Sequence, residues 1–375
     1  MPARLSPRVS GEIKPLTSAR GIAALFVVIY HGWNLFYTES ADGPSPNFPF
    51  LKGYLFVDFF FLLSGFIIAY VHSVDSENWN SQSYRRFLLL RLIRVYPVHL
   101  FTLLLALLLE CAKFLFPTNN LPFSFNTPTS FFEHLTLSQA WGFDDATRWN
   151  LPSWSVSVEW FAYILTPVVF FLTLHRRWLV TVGIVFLCLA VLSLLENGPW
   201  NLNLTAHYAL ARGLAEYAIG SVLYRLYSRA ELHRPIDNVV AICLLLTAVN
   251  IASQGDDVVS VILFAFDILG ISLSSNWIEK IFSLGVPMYL GRVSYSLYMV
   301  HGFFLAPTKS ICSRLGSEPA LIPLKIAIFG AFVLFSLAGA ELCYRYVEMP
   351  ARQLRHKLVG SPPRLPTLLQ RQGTN

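Results

Sequence analysis

Long apolar stretches separated by short polar and charged ones dominate the chain. A membrane-crossing helix needs about 20 mostly apolar residues, because the hydrocarbon core is about 30 Å thick and each residue rises about 1.5 Å. On that criterion the pattern predicts ten helices, at about 16–37, 52–72, 92–116, 153–174, 178–195, 207–227, 236–252, 258–274, 286–306 and 326–347. The seventh and eighth are the weakest, being short and carrying Asp237 and Asp267. The expected fold is all-α, a polytopic membrane helix bundle over 16–350, with a short segment 1–15 before it. A tail follows at 351–375 and reads as disordered from about Gly360, where Ser361, Pro362, Pro363 and Pro366 cluster. The longest connection, 117–151, is rich in Phe, Pro, Ser, Thr and Asn and is a candidate cap over an outer cavity.

Composition sharpens this. A chain of 375 residues has room for two or three soluble domains. Yet 54% of it is hydrophobic and only 13% charged, against a globular norm of roughly 25% charged. That is too little charge to cover a soluble surface, so a disordered protein or a soluble multidomain enzyme is excluded. The formal charge of +6 does not point to nucleic acid, because basic residues of membrane proteins collect in cytoplasmic loops. With the N terminus inside, alternate loops hold most of the Lys and Arg, and the opposite loops hold only Lys52, Lys113, Arg148, Lys309, Arg314 and Lys325. Both termini are therefore expected in the cytoplasm, with an even number of spans. Arg4, Arg8, Lys14 and Arg20 precede the first apolar stretch as they would in a signal peptide. No convincing small-residue cleavage site follows, and the stretch reads as an uncleaved helix. The five cysteines lie far apart without metal spacing, and no metal, Walker or dinucleotide motif occurs.

Ionisable groups inside a bilayer cost at least about 2.5–3.5 kcal/mol each at a helix centre, which makes each a candidate for function. Arg20 and His31 sit 11 residues apart on the first helix. Eleven steps of about 100° return to within about 20° of the same face, about 16 Å along the axis. Chain direction puts Asp58, Glu159 and His301 at the same outer depth as His31, although each comes from a different helix. Carboxylates that orient a histidine suit general-base catalysis on a hydroxyl, and the same groups would serve a proton relay in a secondary transporter. Arg85, Arg86, Arg91 and Arg94 enter the third helix, with Arg91 and Arg94 on one face. Guanidiniums bind phosphate bidentately, so a phosphate-bearing cosubstrate is the functional reading, beside plain orientation by positive residues and anionic lipid. Arg212 and Glu216 read as a neutralised helix-packing pair, and Glu348 and Arg352 as structural.

Six runs in order then carry a resemblance. They are Leu16-Thr17-Ser18-Ala19-Arg20-Gly21 through His31, Val57-Asp58-Phe59-Phe60-Phe61 through Phe66, and Arg91-Leu92-Ile93-Arg94-Val95-Tyr96-Pro97. The others are Pro152-Ser153-Trp154-Ser155-Val156-Ser157-Val158-Glu159-Trp160, Leu290-Gly291-Arg292-Val293-Ser294-Tyr295 through His301, and Tyr346-Val347-Glu348-Met349-Pro350. Together they resemble the acyltransferase 3 family of integral membrane O-acyltransferases, which includes bacterial polysaccharide and lipopolysaccharide O-acetyltransferases.

The resemblance implies transfer of an acyl group, usually acetyl, from cytoplasmic acyl-CoA to a hydroxyl of a glycan or glycan-like acceptor at the bacterial inner membrane. It marks Arg20 with His31 as catalytic and Arg91 with Arg94 as functionally important. Some relatives add a soluble SGNH hydrolase-like domain. None is expected here, so the membrane domain would act alone or with a separate partner. The expected mechanism has Arg20, Arg91 and Arg94, joined by Arg85 and Arg86, hold the CoA phosphates. His31 would take the acceptor proton with Asp58 or Glu159 orienting it, Ser155 or Ser157 would face the oxyanion, and Trp154, Ser157, Tyr298 and His301 would line the acceptor side. The lipid bilayer is the expected surrounding, and a homo-oligomer is left open.

Overall fold

The computed structural model describes residues 11–37, 52–73, 76, 79–115, 126–143, 148–197, 201–205, 208–231, 235–315 and 321–359. Among them the regular structure is entirely helical. Each of the ten predicted segments falls on a helix, and thirteen α-helices are described: α1 Lys14–Tyr37, α2 Phe56–His72, α3 Ser81–Leu115, a short α4 Pro128–Leu135, α5 Ser153–Thr173, α6 Trp178–Glu196 and α7 Ala209–Tyr227. They continue as α8 Asp237–Ala252, α9 Asp257–Leu273, a one-and-a-half-turn α10 Trp277–Phe282, α11 Gly285–Leu315, α12 Ile322–Cys343 and α13 Met349–Val359. Among the described residues five helical stretches are long and apolar enough to cross a membrane by length and composition: Gly53–His72, Ser81–Ala112, Ser153–Thr173, Trp178–Glu196 and Ile322–Leu354. The first part of the predicted tail is helical as α13, and residues from 360 lie outside the described ones.

Two close helix crossings organise the bundle, and glycine makes each possible. A Cβ on Gly21 of α1 would sit 2.2 Å from the backbone nitrogen of Gly291, and one on Gly291 of α11 would sit 2.2 Å from the carbonyl oxygen of Thr17. Between α2 and α7, Cβ atoms on Gly65 and Gly220 would each lie 2.0 Å from a facing carbonyl oxygen, of Tyr217 and Leu62 respectively. Small residues let helix backbones meet where lipid removes the usual hydrophobic drive for association. The two crossings fix α1 to α11 and α2 to α7.

The acids that weakened the seventh and eighth predicted segments point inward. Asp267 of α9 accepts a hydrogen bond from Thr247 of α8 at 2.6 Å, and Asp237 accepts from the backbone N–H of Ile278 at 2.8 Å. Asp257, fully buried at the start of α9, accepts from Lys52 at 2.5 Å, Tyr54 at 2.8 Å and the N–H of Leu202 at 3.1 Å. Glu196 accepts from the first free N–H of that helix at 2.6 Å, the place where a carboxylate best complements a helix dipole. The Asp257 and Glu196 contacts tie loops to the bundle end that carries Tyr30 and His31, where Tyr54 meets Tyr30, whereas the Asp237 contact lies at the other end, beside Phe282, whose carbonyl accepts from Ser18.

The described part of the 117–151 connection folds against α3 and α5. The α4 helix opens with a capping box between Thr127 and Ser130. Tyr96 donates to the Leu135 carbonyl at 2.9 Å, and a ring nitrogen of His99 donates to the His134 carbonyl at 2.7 Å. Residues 117–125 lie outside the described ones.

Candidate active site

The same-face relation of Arg20 and His31 is visible in what each meets on α11. Arg20 donates from Nη2 to the carbonyl of Gly291 at 2.8 Å. Further along, His31 lies with its Nδ1 3.0 Å from the Val27 carbonyl and 3.3 Å from Nε2 of His301. The two imidazole centroids are 5.1 Å apart, and Tyr30 meets His31 edge-on at 5.0 Å. His301 is fully buried, and its Nδ1 lies 2.7 Å from the Tyr298 carbonyl. Asn150, from the run that opens α5, donates to the carbonyl of Met299 at 3.1 Å, and Pro152 packs where a Cβ on Gly302 would fall. That contact sets the height of His301 against α5.

Toward the Arg20 end lies a cavity of about 180 Å³. Its polar lining is Arg20, Ser64, Arg91, Arg94, Ser155, Glu159, Tyr163, Ser294, Tyr295 and Tyr298, and its apolar wall comes from α2, α3 and α5. The three arginines differ in what they already hold. Arg94 donates to Glu348 at 2.7 Å and stacks on Tyr295 with its guanidinium carbon 5.1 Å from the ring centroid. Glu348, almost fully buried, also accepts from Arg352 and Ser296, each at 2.6 Å. The Nε–H groups of Arg20 and Arg91 are buried and have no hydrogen-bond partner among the described residues. Arg20 and Arg91 thus keep donor capacity for a ligand. Arg85 and Arg86 are exposed at the start of α3 and do not line the cavity.

The expected carboxylate beside His31 is not what the hydrogen bonds give. Asp58 is fully buried and paired with Arg212 of α7 through two bonds of 2.6 Å. Arg212 also donates to the Leu204 carbonyl at 3.1 Å, sits over Trp154 at 5.5 Å, and has Glu216 at 3.8 Å. Glu159 lines the cavity but accepts from Ser64 at 2.8 Å and Tyr163 at 2.5 Å. Sequence depth placed both acids level with His31, whereas their azimuths turn them to other partners, and His301 occupies the neighbouring position instead.

The remaining expected residues divide between cavity and packing. Ser155 lines the cavity and donates to Tyr298 Oη at 2.9 Å. Ser157 does not line it, because its hydroxyl donates to the Leu137 carbonyl at 2.7 Å and accepts from the N–H of Ala140. Trp154 is packed under Arg212 and against Phe61. Tyr298 joins the two halves of the site, since it lines the cavity and its ring lies 5.9 Å from those of both Phe60 and His301. The sequence did not signal Tyr163, although it falls four residues after Glu159 on one helical face. The described residues contain no group of three or more metal-ligating side chains.

Comparisons with known proteins bear on the family of the chain. The chain is 24% identical over 91% of its length to a Staphylococcus aureus (strain COL) protein provisionally named an O-acetyltransferase, of which it covers 57%. It is 29% identical over 48% of its length to acyltransferase MdmB of Streptomyces mycarofaciens, covering 46% of that protein. An uncharacterised Haemophilus influenzae protein is 24% identical over 52% of the chain. The chain thus spans little more than half the length of its Staphylococcus relatives. No solved structure matches it. The profile of the Acyl_transf_3 acyltransferase domain matches residues 15–345, which is nearly all of the bundle, and the chain belongs to that acyltransferase family.

Proposed function

We propose that the protein is a multi-pass membrane O-acetyltransferase that moves an acetyl group from acetyl-CoA to a hydroxyl of a glycan or glycan-like acceptor. The observation that carries this reading is the joined geometry of an arginine-lined cavity and a histidine pair, with Tyr298 belonging to both. The names of the Staphylococcus and Streptomyces relatives support acyl transfer in the same terms.

In this reading the Arg20 end faces the cytoplasm of a bacterial inner membrane, with both termini on that side. Arg91 and Arg20 hold CoA phosphate with the N–H groups that lack protein partners. Arg94, neutralised by Glu348, shapes the entrance instead. The pantetheine arm lies in the cavity and its thioester points toward Phe60 and Tyr298. The acceptor hydroxyl gives its proton to the imidazole of His31 as its oxygen bonds to the acyl carbon. The carbon–sulfur bond then breaks, and the CoA thiolate leaves with the proton from the imidazolium. Tyr298, whose hydroxyl accepts from Ser155 at 2.9 Å and keeps its own O–H to give, is the donor offered to the oxyanion.

The test is transfer of radiolabel from acetyl-CoA to a glycan fraction by the purified protein in proteoliposomes. Wild type should label the acceptor, and His31→Ala should lower the rate by roughly 100-fold or more, the usual worth of a positioned base. Label transfer at the wild-type rate by His31→Ala contradicts the reading.

A further inference from the structure

We infer that His301 is the positioning residue of the site, holding His31 in the Nδ1–H tautomer so that Nε2 is the basic nitrogen. The inference rests on the acyl-transfer reading above and names the partner that a carboxylate would otherwise be.

Carbonyl oxygens only accept hydrogen bonds, so a ring nitrogen facing one carries the proton. The Nδ1 of His301 lies 2.7 Å from the Tyr298 carbonyl and is therefore protonated, which leaves Nε2 of the neutral ring as an acceptor. That Nε2 is 3.3 Å from Nδ1 of His31, which also faces the Val27 carbonyl at 3.0 Å. Two acceptors converge on one nitrogen, so His31 carries its proton on Nδ1 and presents the lone pair of Nε2. Which nitrogen of a histidine acts as base is set in this way by the bond the other makes.

Both carboxylates that chain direction brought to this depth are committed elsewhere, Asp58 to Arg212 and Glu159 to Ser64 and Tyr163. When Nε2 of His31 takes the acceptor proton, its Nδ1–H continues to donate to Nε2 of His301. A neutral imidazole then stabilises the imidazolium, in the place that an aspartate fills in a serine-protease triad. His301 is held for this by helix packing. It is fully buried, the Gly21–Gly291 crossing locks α11 to α1 below it, and Asn150 fixes the adjacent Met299 carbonyl.

The experiment compares His301→Ala and His301→Gln for kcat and for KM toward acetyl-CoA, in preparations matched for monodispersity on size exclusion. Loss of an orienting partner of a histidine is expected to lower kcat about 10–100-fold, with KM changed by less than about twofold, because His301 lies off the cavity that holds CoA. The glutamine amide oxygen can still accept from Nδ1–H, so His301→Gln should recover most of the rate. A wild-type kcat in His301→Ala, or equal loss in both variants, overturns the inference. In wild-type protein with isotope-labelled histidine, the NMR signal missing from His31→Asn should be the Nδ1-protonated tautomer, and an Nε2-protonated signal overturns it without need of any His301 variant. If His31→Ala itself keeps the wild-type rate, the acyl-transfer reading fails, and that outcome is distinct from failure at His301 alone.

Discussion

Replacing either member of the Asp58–Arg212 pair separates a structural from a catalytic role for Asp58. Both side chains are at most 1% exposed, and they share two bonds of 2.6 Å. Removing one partner of a buried pair costs about 3–5 kcal/mol, because the other charge stays buried and uncompensated. The neighbouring Glu216 makes the two removals unequal. In Asp58→Asn the guanidinium keeps Glu216, 3.8 Å away, as a counterion. In Arg212→Met two carboxylates lose their cation, and the bond to Leu204 and the contact with Trp154 go as well. The cost should therefore be near the upper limit for Arg212→Met and near or below the lower one for Asp58→Asn. At roughly 2 °C per kcal/mol for a chain this long, Tm in detergent should fall about 10 °C and about 5 °C respectively. Fluorescence-detected size exclusion after heating reads both values. The double variant should be more stable than Arg212→Met alone, since it removes one of the two stranded acids. Assayed well below those temperatures, Asp58→Asn should keep kcat within about tenfold of wild type, short of the 10²–10⁴-fold worth of direct acid–base work. Asp58→Asn that is less stable than Arg212→Met, or a fully folded Asp58→Asn without activity, would refute the reasoning.

Other outcomes follow from the same geometry. Arg91→Gln should raise KM for acetyl-CoA, whereas Arg85→Gln should change it little, because only Arg91 faces the cavity with a buried, unpartnered N–H. Ser155→Ala should lower kcat with little effect on Tm, and Ser157→Ala should do the reverse at about 1 kcal/mol per lost hydrogen bond, since Ser157 ties α5 to Leu137 and Ala140. Gly220→Ala and Gly65→Ala should sharply reduce the yield of monodisperse protein, because each new methyl meets a carbonyl oxygen at 2.0 Å, while Gly183→Ala, with open space around it, should be tolerated.

Much of this was legible in the sequence because helices in lipid are encoded locally, by runs of apolar residues of sufficient length. Even α8 and α9, doubtful for Asp237 and Asp267, are helical, since each acid finds a donor on a neighbouring element. The 11-residue spacing of Arg20 and His31 likewise put them on one face, and in the bundle both meet α11. Pairing across helices was not legible. Chain direction fixes depth but not rotation, and so Asp58 and Glu159 were assigned to a histidine that neither hydrogen-bonds. Arg212 was read with Glu216 because they are four residues apart, yet its shorter bonds go to Asp58, 154 residues away. Arg94 and Glu348, 254 residues apart, were read with different roles for the same reason. A titratable group on one helix reveals its depth, and only the packed bundle reveals its partner.

The central claim is a division of labour along α1, with CoA held at the Arg20 end and chemistry done at the His31 end, about 16 Å away at about 1.5 Å per residue. Binding and turnover of acetyl-CoA measured side by side on one preparation of His31→Ala test it most directly. The account predicts a dissociation constant within about threefold of wild type, with turnover lower by about 100-fold or more. Turnover at the wild-type rate, or loss of binding in parallel with turnover in a folded protein, would contradict it.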